Sequence, residues 1–116
     1  MLDYEGLQVA YLGVALAHYL DVETGDILDV PLDDPPPGDA ARFRRIPTRT
    51  GESEAEDRRL FVEKHHLAAL AHAVDEPMEF RRLLSEDRLI ERKFFNFKND
   101  QANRAIEEWA KTEGLE

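Results

Sequence analysis

"DVETGDILDV", residues 21–30, decides the fold. Val22 and Ile27 flank Glu23-Thr24-Gly25-Asp26, and Gly25 supplies the positive φ that a tight reversal needs. The stretch therefore predicts a β-hairpin. Asp21, Glu23, Asp26 and Asp29 also invite a calcium-loop reading. The spacing fails. Glycine falls at the fifth position instead of the sixth, and position twelve is Leu32 where a bidentate glutamate belongs.

Upstream, residues 5–20 read two ways. Leu7, Ala10, Tyr11 and Val14 have helical spacing, while Val14, Leu16 and His18 alternate in strand fashion with alanines and Tyr19. A short helix followed by a strand near 15–22 is the expectation, with helix and strand both open over 5–14. Downstream, "PLDDPPPGDA" (31–40) holds Pro31, Pro35, Pro36 and Pro37, which donate no ladder hydrogen bonds. It predicts a stiff extended connector, or alternatively a ligand for a proline-reading domain.

"RFRRIP" (42–47) predicts a third strand stopped by a proline. Arg42, Arg44 and Arg45, with Arg49, make it the most basic patch of the chain. The arginines suit phosphate contact, or cross-strand ion pairs with the acidic hairpin beside them. A flexible loop is expected over 48–54. Ser53 and Glu56 then have capping-box spacing, with Ser53 at the N-cap. Leu60, Leu67, Ala71 and Val74 continue at helical intervals, as one amphipathic helix or two shorter ones ending near 74.

That segment carries His65, His66 and His72. His65 and His72 lie roughly 10 Å apart along a helix axis, too far for one ion held by bonds of about 2 Å. His65 and His66 diverge by about 100° around the helix. No metal site is expected.

Asp75 is a candidate cap for the next helix, with Pro77 in its first turn and Phe80, Leu83 and Leu84 following. Ser85-Glu86-Asp87 breaks or re-caps the chain. Leu89, Ile90, Phe94 and Phe97 then form an apolar stripe with Phe95 on its flank. Asn99 or Asp100 can cap a last helix, whose inner face is Ala102, Ala105, Ile106, Trp109 and Ala110. Gly114 suits a left-handed C-cap, with Leu115 folding back. Phe94, Phe97, Ile106 and Trp109 are expected to point into one core rather than to form a stacking platform.

The expected fold class is α+β: a small antiparallel sheet, the N-terminal hairpin plus the third strand, packed against three or four C-terminal helices. One domain of 116 residues is expected, with 42% apolar residues to build its core. There is no cysteine, which excludes disulfides and thiolate metal sites and leaves the redox compartment open. "MLDYEG" lacks the basic residues of a secretory signal, and the apolar run over residues 6–20 is too short to span a bilayer. A cytoplasmic protein without membrane partners is expected.

Charge is lopsided. Residues 1–41 hold nine Asp or Glu and no Lys or Arg, while residues 42–116 hold 15 basic and 16 acidic residues. The acidic end is either a solvated face or a docking surface for a basic partner. It repels a phosphate backbone.

Taken together, "YLDVETGDI", "RFRRIP", "EFRR" and "FFNFKND…AIEEWAKTEGL" resemble the bacterial uncharacterised protein family 0158. Leu20, Asp21, Thr24 and Gly25 match that family's hairpin, and Ile46 and Pro47 its strand end. Phe80, Arg81 and Arg82 match its helix. Phe94, Phe95, Phe97 and Lys98 match its aromatic segment, with Phe for Trp and Lys for Arg, and Trp109 and Gly114 its last helix. The resemblance covers most of residues 18–116. "DEPME" stands where a glycine-rich turn is usual, and the chain is short for the family. The resemblance implies no activity and no catalytic residues.

No phosphate-cradling glycine loop or nucleophile elbow occurs, and the only serines, Ser53 and Ser85, sit at helix caps. No catalytic residue and no cofactor is indicated. The favoured expectation is a non-enzymatic protein-interaction module. It docks a basic partner through Asp21, Glu23, Asp26, Asp29, Asp33 and Asp34. One alternative is a nucleic-acid binder using Arg42, Arg44, Arg45, Arg81 and Arg82. Another is a small hydrolase or transferase with a carboxylate cleft. The number of apolar helix positions is also compatible with a homodimer.

Overall fold

The chain begins as a helix because Asp3 caps it. The Asp3 carboxylate accepts the Gly6 N–H at 3.0 Å, and Glu5 complements the dipole in the first turn. The computed structural model describes residues 2–115. Its helices are α1 (Tyr4–Leu12), α2 (Gly51–His65), α3 (Pro77–Leu84) and α4 (Arg88–Thr112), with a 3₁₀ segment at Ala68–Ala73. Its strands are β1 (Ala17–Asp21), β2 (Ile27–Val30) and β3 (Phe43–Arg45). The architecture is α+β with a three-stranded antiparallel sheet, as the sequence predicts. Its contacts fall into two units, residues 2–49 with 102–115, and residues 50–101.

In the first unit, helix then strand resolves the ambiguity over residues 5–20. The hairpin forms with Leu20 opposite Ile27, and Gly25 in the turn has φ +82°. Gly25 donates to the Asp21 carbonyl at 2.7 Å, closing the reversal. β3 pairs with the other side of β1, so the order is β2-β1-β3 and every residue of the central strand is buried. Leu20 packs with Leu7 and Ala10 of α1, with Ile46 beyond β3, and with Ile106 of α4. Gly114 ends this unit with φ +71°, and Leu115 N–H reaches the Ala110 carbonyl at 2.9 Å while its side chain returns to the core.

In the second unit, the start of α2 differs from expectation. Thr50, not Ser53, is the N-cap, and the helix begins at Gly51 inside the expected 48–54 loop. Thr50 Oγ1 accepts the Ser53 N–H at 3.0 Å, and Ser53 Oγ accepts the Thr50 N–H at 2.9 Å. Ser53 thus fills the N3 role, and Glu56 pairs with Arg59 instead. α2 stops at His66, whose φ is +53°, and the 3₁₀ segment follows to Ala73, so of the two expected arrangements the two shorter helical pieces form. Glu76 rather than Asp75 precedes α3, with Pro77 as its first residue.

α4 overrides another expectation. It runs unbroken from Arg88 to Thr112, so neither Asn99 nor Asp100 caps a helix. No Gly or Pro lies within it, and the interior penalty of Asn or Asp is only about 0.7 kcal/mol. A single helix also separates its aromatics. Phe94 and Ile106 are twelve residues apart, roughly 18 Å along the axis. Phe94 and Phe97 therefore join Phe61, Val62, Phe80 and Leu84 in one cluster, while Ile106 and Trp109 belong to the cluster of the first unit. Phe94 lies 5.1 Å from Phe61 and 5.3 Å from Phe80 by ring centroids, both edge-on.

Candidate functional site

The acidic hairpin is organised by Asp21 at the end of the central strand. Its carboxylate accepts the Arg42 Nε–H at 3.1 Å on Oδ1 and the Nη2–H at 2.9 Å on Oδ2. This is the two-pronged arrangement that the planar guanidinium favours. Oδ1 also accepts the Glu23 N–H at 3.0 Å. Arg42 hydrogen bonding holds the Asp21 carboxyl well below the usual carboxylate range, against the opposing effect of burial. Asp21 raises the pKa of Arg42 in return. The third guanidinium nitrogen, Nη1, lies 3.2 Å from the exposed Glu23. A shallow cleft of about 270 Å³ lies beside them, lined by Leu20, Asp21, Glu23, Thr24, Gly25 and Leu115 among others.

The other predicted acids divide by role. Asp29 accepts from His18 Nδ1 at 2.7 Å, and His18 Nε2 lies 2.7 Å from the Gly13 carbonyl. Both partners are acceptors, so each contact is a hydrogen bond only when that ring nitrogen carries its hydrogen. This pairing links the end of α1 to β2 across buried His18. The pairing could not be counted from the sequence, because flanking the turn with Val22 and Ile27 sets Pro31 opposite His18, whereas the register Leu20↔Ile27 brings Asp29 there. Asp26, Asp33 and Asp34 are exposed in the turn and the proline loop. Thus Glu23, Asp26, Asp33 and Asp34 face solvent, while Asp21 is buried and Asp29 is exposed but tied to His18.

The predicted arginines do not form one patch on β3. Arg44 and Arg45 are consecutive in a strand and so project to opposite faces. Arg44 pairs with Glu113 at 3.8 Å and donates to the Ala41 carbonyl at 3.0 Å. Arg45 lies over the Tyr19 ring at 5.5 Å. Arg82 is clasped by Glu79 on α3 and by Glu86 just past its end, and the Glu79–Arg82 hydrogen bonds lower the Glu79 pKa and raise that of Arg82. Arg81 is exposed beside it.

Among the described residues, no three His, Asp or Glu side chains are grouped to hold a metal ion. No helix among them is long and apolar enough to cross a membrane. The chain matches no known family, no curated protein and no solved structure.

Proposed function

We propose that this protein is a non-enzymatic interaction module that docks a basic protein partner. The contact surface is Glu23, Asp26, Asp33 and Asp34, with Asp21 and Asp29 fixing the shape of the hairpin beneath it. One observation carries the reading. The four carboxylates are solvent-exposed within a 41-residue segment that contains no Lys or Arg. Arg42 enters that field from just before β3 and is spent on Asp21 and Glu23. A field of one sign raises the encounter rate with an oppositely charged partner and is screened beyond about 10 Å at 0.1 M salt.

The nucleic-acid alternative is weakened by the acids already clasping Arg42, Arg44 and Arg82. A carboxylate-cleft enzyme is weakened because the buried acid of the cleft, Asp21, is committed to Arg42. The proposal places the protein in a cytoplasm and keeps its kinship with bacterial family 0158 as part of the same reading. The test is capture from a native lysate at low salt, then repeat capture of the same partner by a variant. The variant carries Glu23→Gln, Asp26→Asn, Asp33→Asn and Asp34→Asn, all at exposed residues, with Glu23→Gln also giving up the charge beside Arg42 Nη1. Loss of the partner with unchanged circular dichroism is expected. Full retention by the variant refutes the proposal.

A further inference from the structure

We propose that the basic partner is held at the outer edge of β2, where an extended segment bearing Lys or Arg adds to the sheet as a fourth, antiparallel strand. The inference rests on the interaction reading above and names how the partner is gripped. Hydrogen-bond alternation defines the edge. The Asp21 N–H reaches the Asp26 carbonyl at 2.9 Å, so the odd-numbered residues of β1 bond to β2. In the register Tyr19↔Leu28 and Ala17↔Val30, Leu28 and Val30 turn their N–H and C=O groups inward. Ile27 and Asp29 turn theirs away from β1. β2 is an outer strand, and no described residue bonds the Ile27 or Asp29 backbone from that side. Their donors and acceptors are a template for another strand.

The opposite edge of the sheet is blunted. The Val22 N–H donates to the Arg42 carbonyl and the Ile46 N–H to the His18 carbonyl, both at 2.9 Å. Arg42, Arg44 and Ile46 therefore face β1, and Phe43 and Arg45 face outward. The Phe43 N–H is already taken by the Asp39 carbonyl at 2.8 Å, and Pro47 follows without an N–H. Strand addition thus has its longer free run on β2.

Charge selects the occupant. Asp29 stands on this edge with its side chain 60% exposed while His18 holds one of its oxygens. Asp26 precedes β2, and Asp33 and Asp34 follow it, all exposed. A second copy offering its own β2 would bring the same acids against these, and like charges across a strand pair are destabilising. A basic strand meets the opposite sign. Its residue opposite Asp29 lies on the same face and forms a cross-strand pair when it is Lys or Arg. That residue and the one opposite Ile27 turn their own N–H and C=O groups to β2. The residue between them falls on the other face, beside half-buried Leu28, and suits valine.

The probe is an end-blocked hexapeptide of three Val-Lys repeats, titrated into the whole protein and read by amide resonances and hydrogen exchange. The Ile27 and Asp29 amides are expected to exchange freely without peptide and to become protected with it, while Phe43 is unchanged. Methylating the backbone nitrogens of the peptide's lysines removes the donors that face β2 and should weaken binding about tenfold. Methylating those of its valines should leave binding intact. Asp29→Asn, which keeps an acceptor for His18, should weaken the peptide severalfold. Equal binding of the lysine-methylated peptide overturns strand addition and leaves the acidic docking surface standing. Equal binding of a Val-Glu hexapeptide overturns both, because charge then selects nothing. Protection of Ile27 and Asp29 in the free protein shows the edge already covered and overturns the proposal. Protection that grows with protein concentration alone does the same, in favour of a second copy.

Discussion

Arg42 grips Asp21 with two parallel hydrogen bonds, Nε to Oδ1 at 3.1 Å and Nη2 to Oδ2 at 2.9 Å. The pair joins the last residue of the central strand to the residue that leads into β3. It therefore anchors the turn of the hairpin to the strand on its other side. The same carboxylate also receives the backbone N–H of Glu23, so one side chain organises both the turn and the strand crossing.

Stability should fall in acid for this reason. The folded-state pKa of Asp21 is depressed, so its contribution is fully present above the unfolded value, roughly pH 4, and disappears as pH falls toward the folded value. Asp21→Asn should lower the melting temperature at pH 7, and the gap to the parent should narrow steadily below pH 4. Thermal melts from pH 7 to pH 2.5 check this. A gap that does not change with pH would show that the carboxylate charge contributes nothing.

The α2 cap separates two readings of the same residues. Thr50→Ala removes the side chain that accepts the Ser53 N–H and should cost about 1 kcal/mol. Glu56→Ala removes only an exposed pair with Arg59 and should cost under about 0.5 kcal/mol. Urea unfolding of both variants decides between them. A larger loss for Glu56→Ala would restore Ser53 as the N-cap.

Gly25 has φ +82°, with nothing within 4 Å of where a Cβ would stand. Gly25→Ala should therefore cost about 1–2 kcal/mol from backbone strain alone, without a steric clash. Gly25→Asn should cost less, because asparagine tolerates the left-handed region. Chemical denaturation of the two variants measures the difference. Equal stability of Ala and Gly at this position would contradict the turn geometry.

Legibility in the sequence followed the range of the interaction. Gly25 and Gly114 are readable because a positive φ is a demand of one residue on itself, and both take it. The hairpin, the third strand and the C-terminal cap follow from the same local chemistry. The cap of α2 was misplaced because Thr50, Ser53 and Glu56 offer two overlapping boxes three residues apart, and only side-chain geometry chooses. The continuity of α4 was missed because Asn99-Asp100 resembles a cap as strongly as it resembles an exposed helix face. Arg44 and Glu113 lie 69 residues apart, so their pairing follows from topology and leaves no periodic trace. The acidic character of the proposed contact surface was readable as a count of acids, but which of them are exposed was not. Burial of Asp21 and the tie between Asp29 and His18 depend on β1 being the central strand.

The aromatic run at 94–97 carries the last prediction. Phe94 is 8% exposed and meets Phe61 and Phe80 edge-on, whereas its neighbour Phe95 is 42% exposed. Phe94→Ala deletes a ring from a packed cluster and should cost roughly 3–5 kcal/mol. Phe95→Ala removes a ring that touches Phe94 at 6.2 Å and carries Lys98 over its outer face, and should cost under about 1 kcal/mol. Phe61→Ala should match Phe94→Ala, because Phe61 contacts Phe94, Phe97 and His65 at once. Equilibrium unfolding of the three variants tests the ranking. If Phe95→Ala proved the most costly, the interior assignment of Phe94 would fail, and the exposed ring would have to belong to an interface.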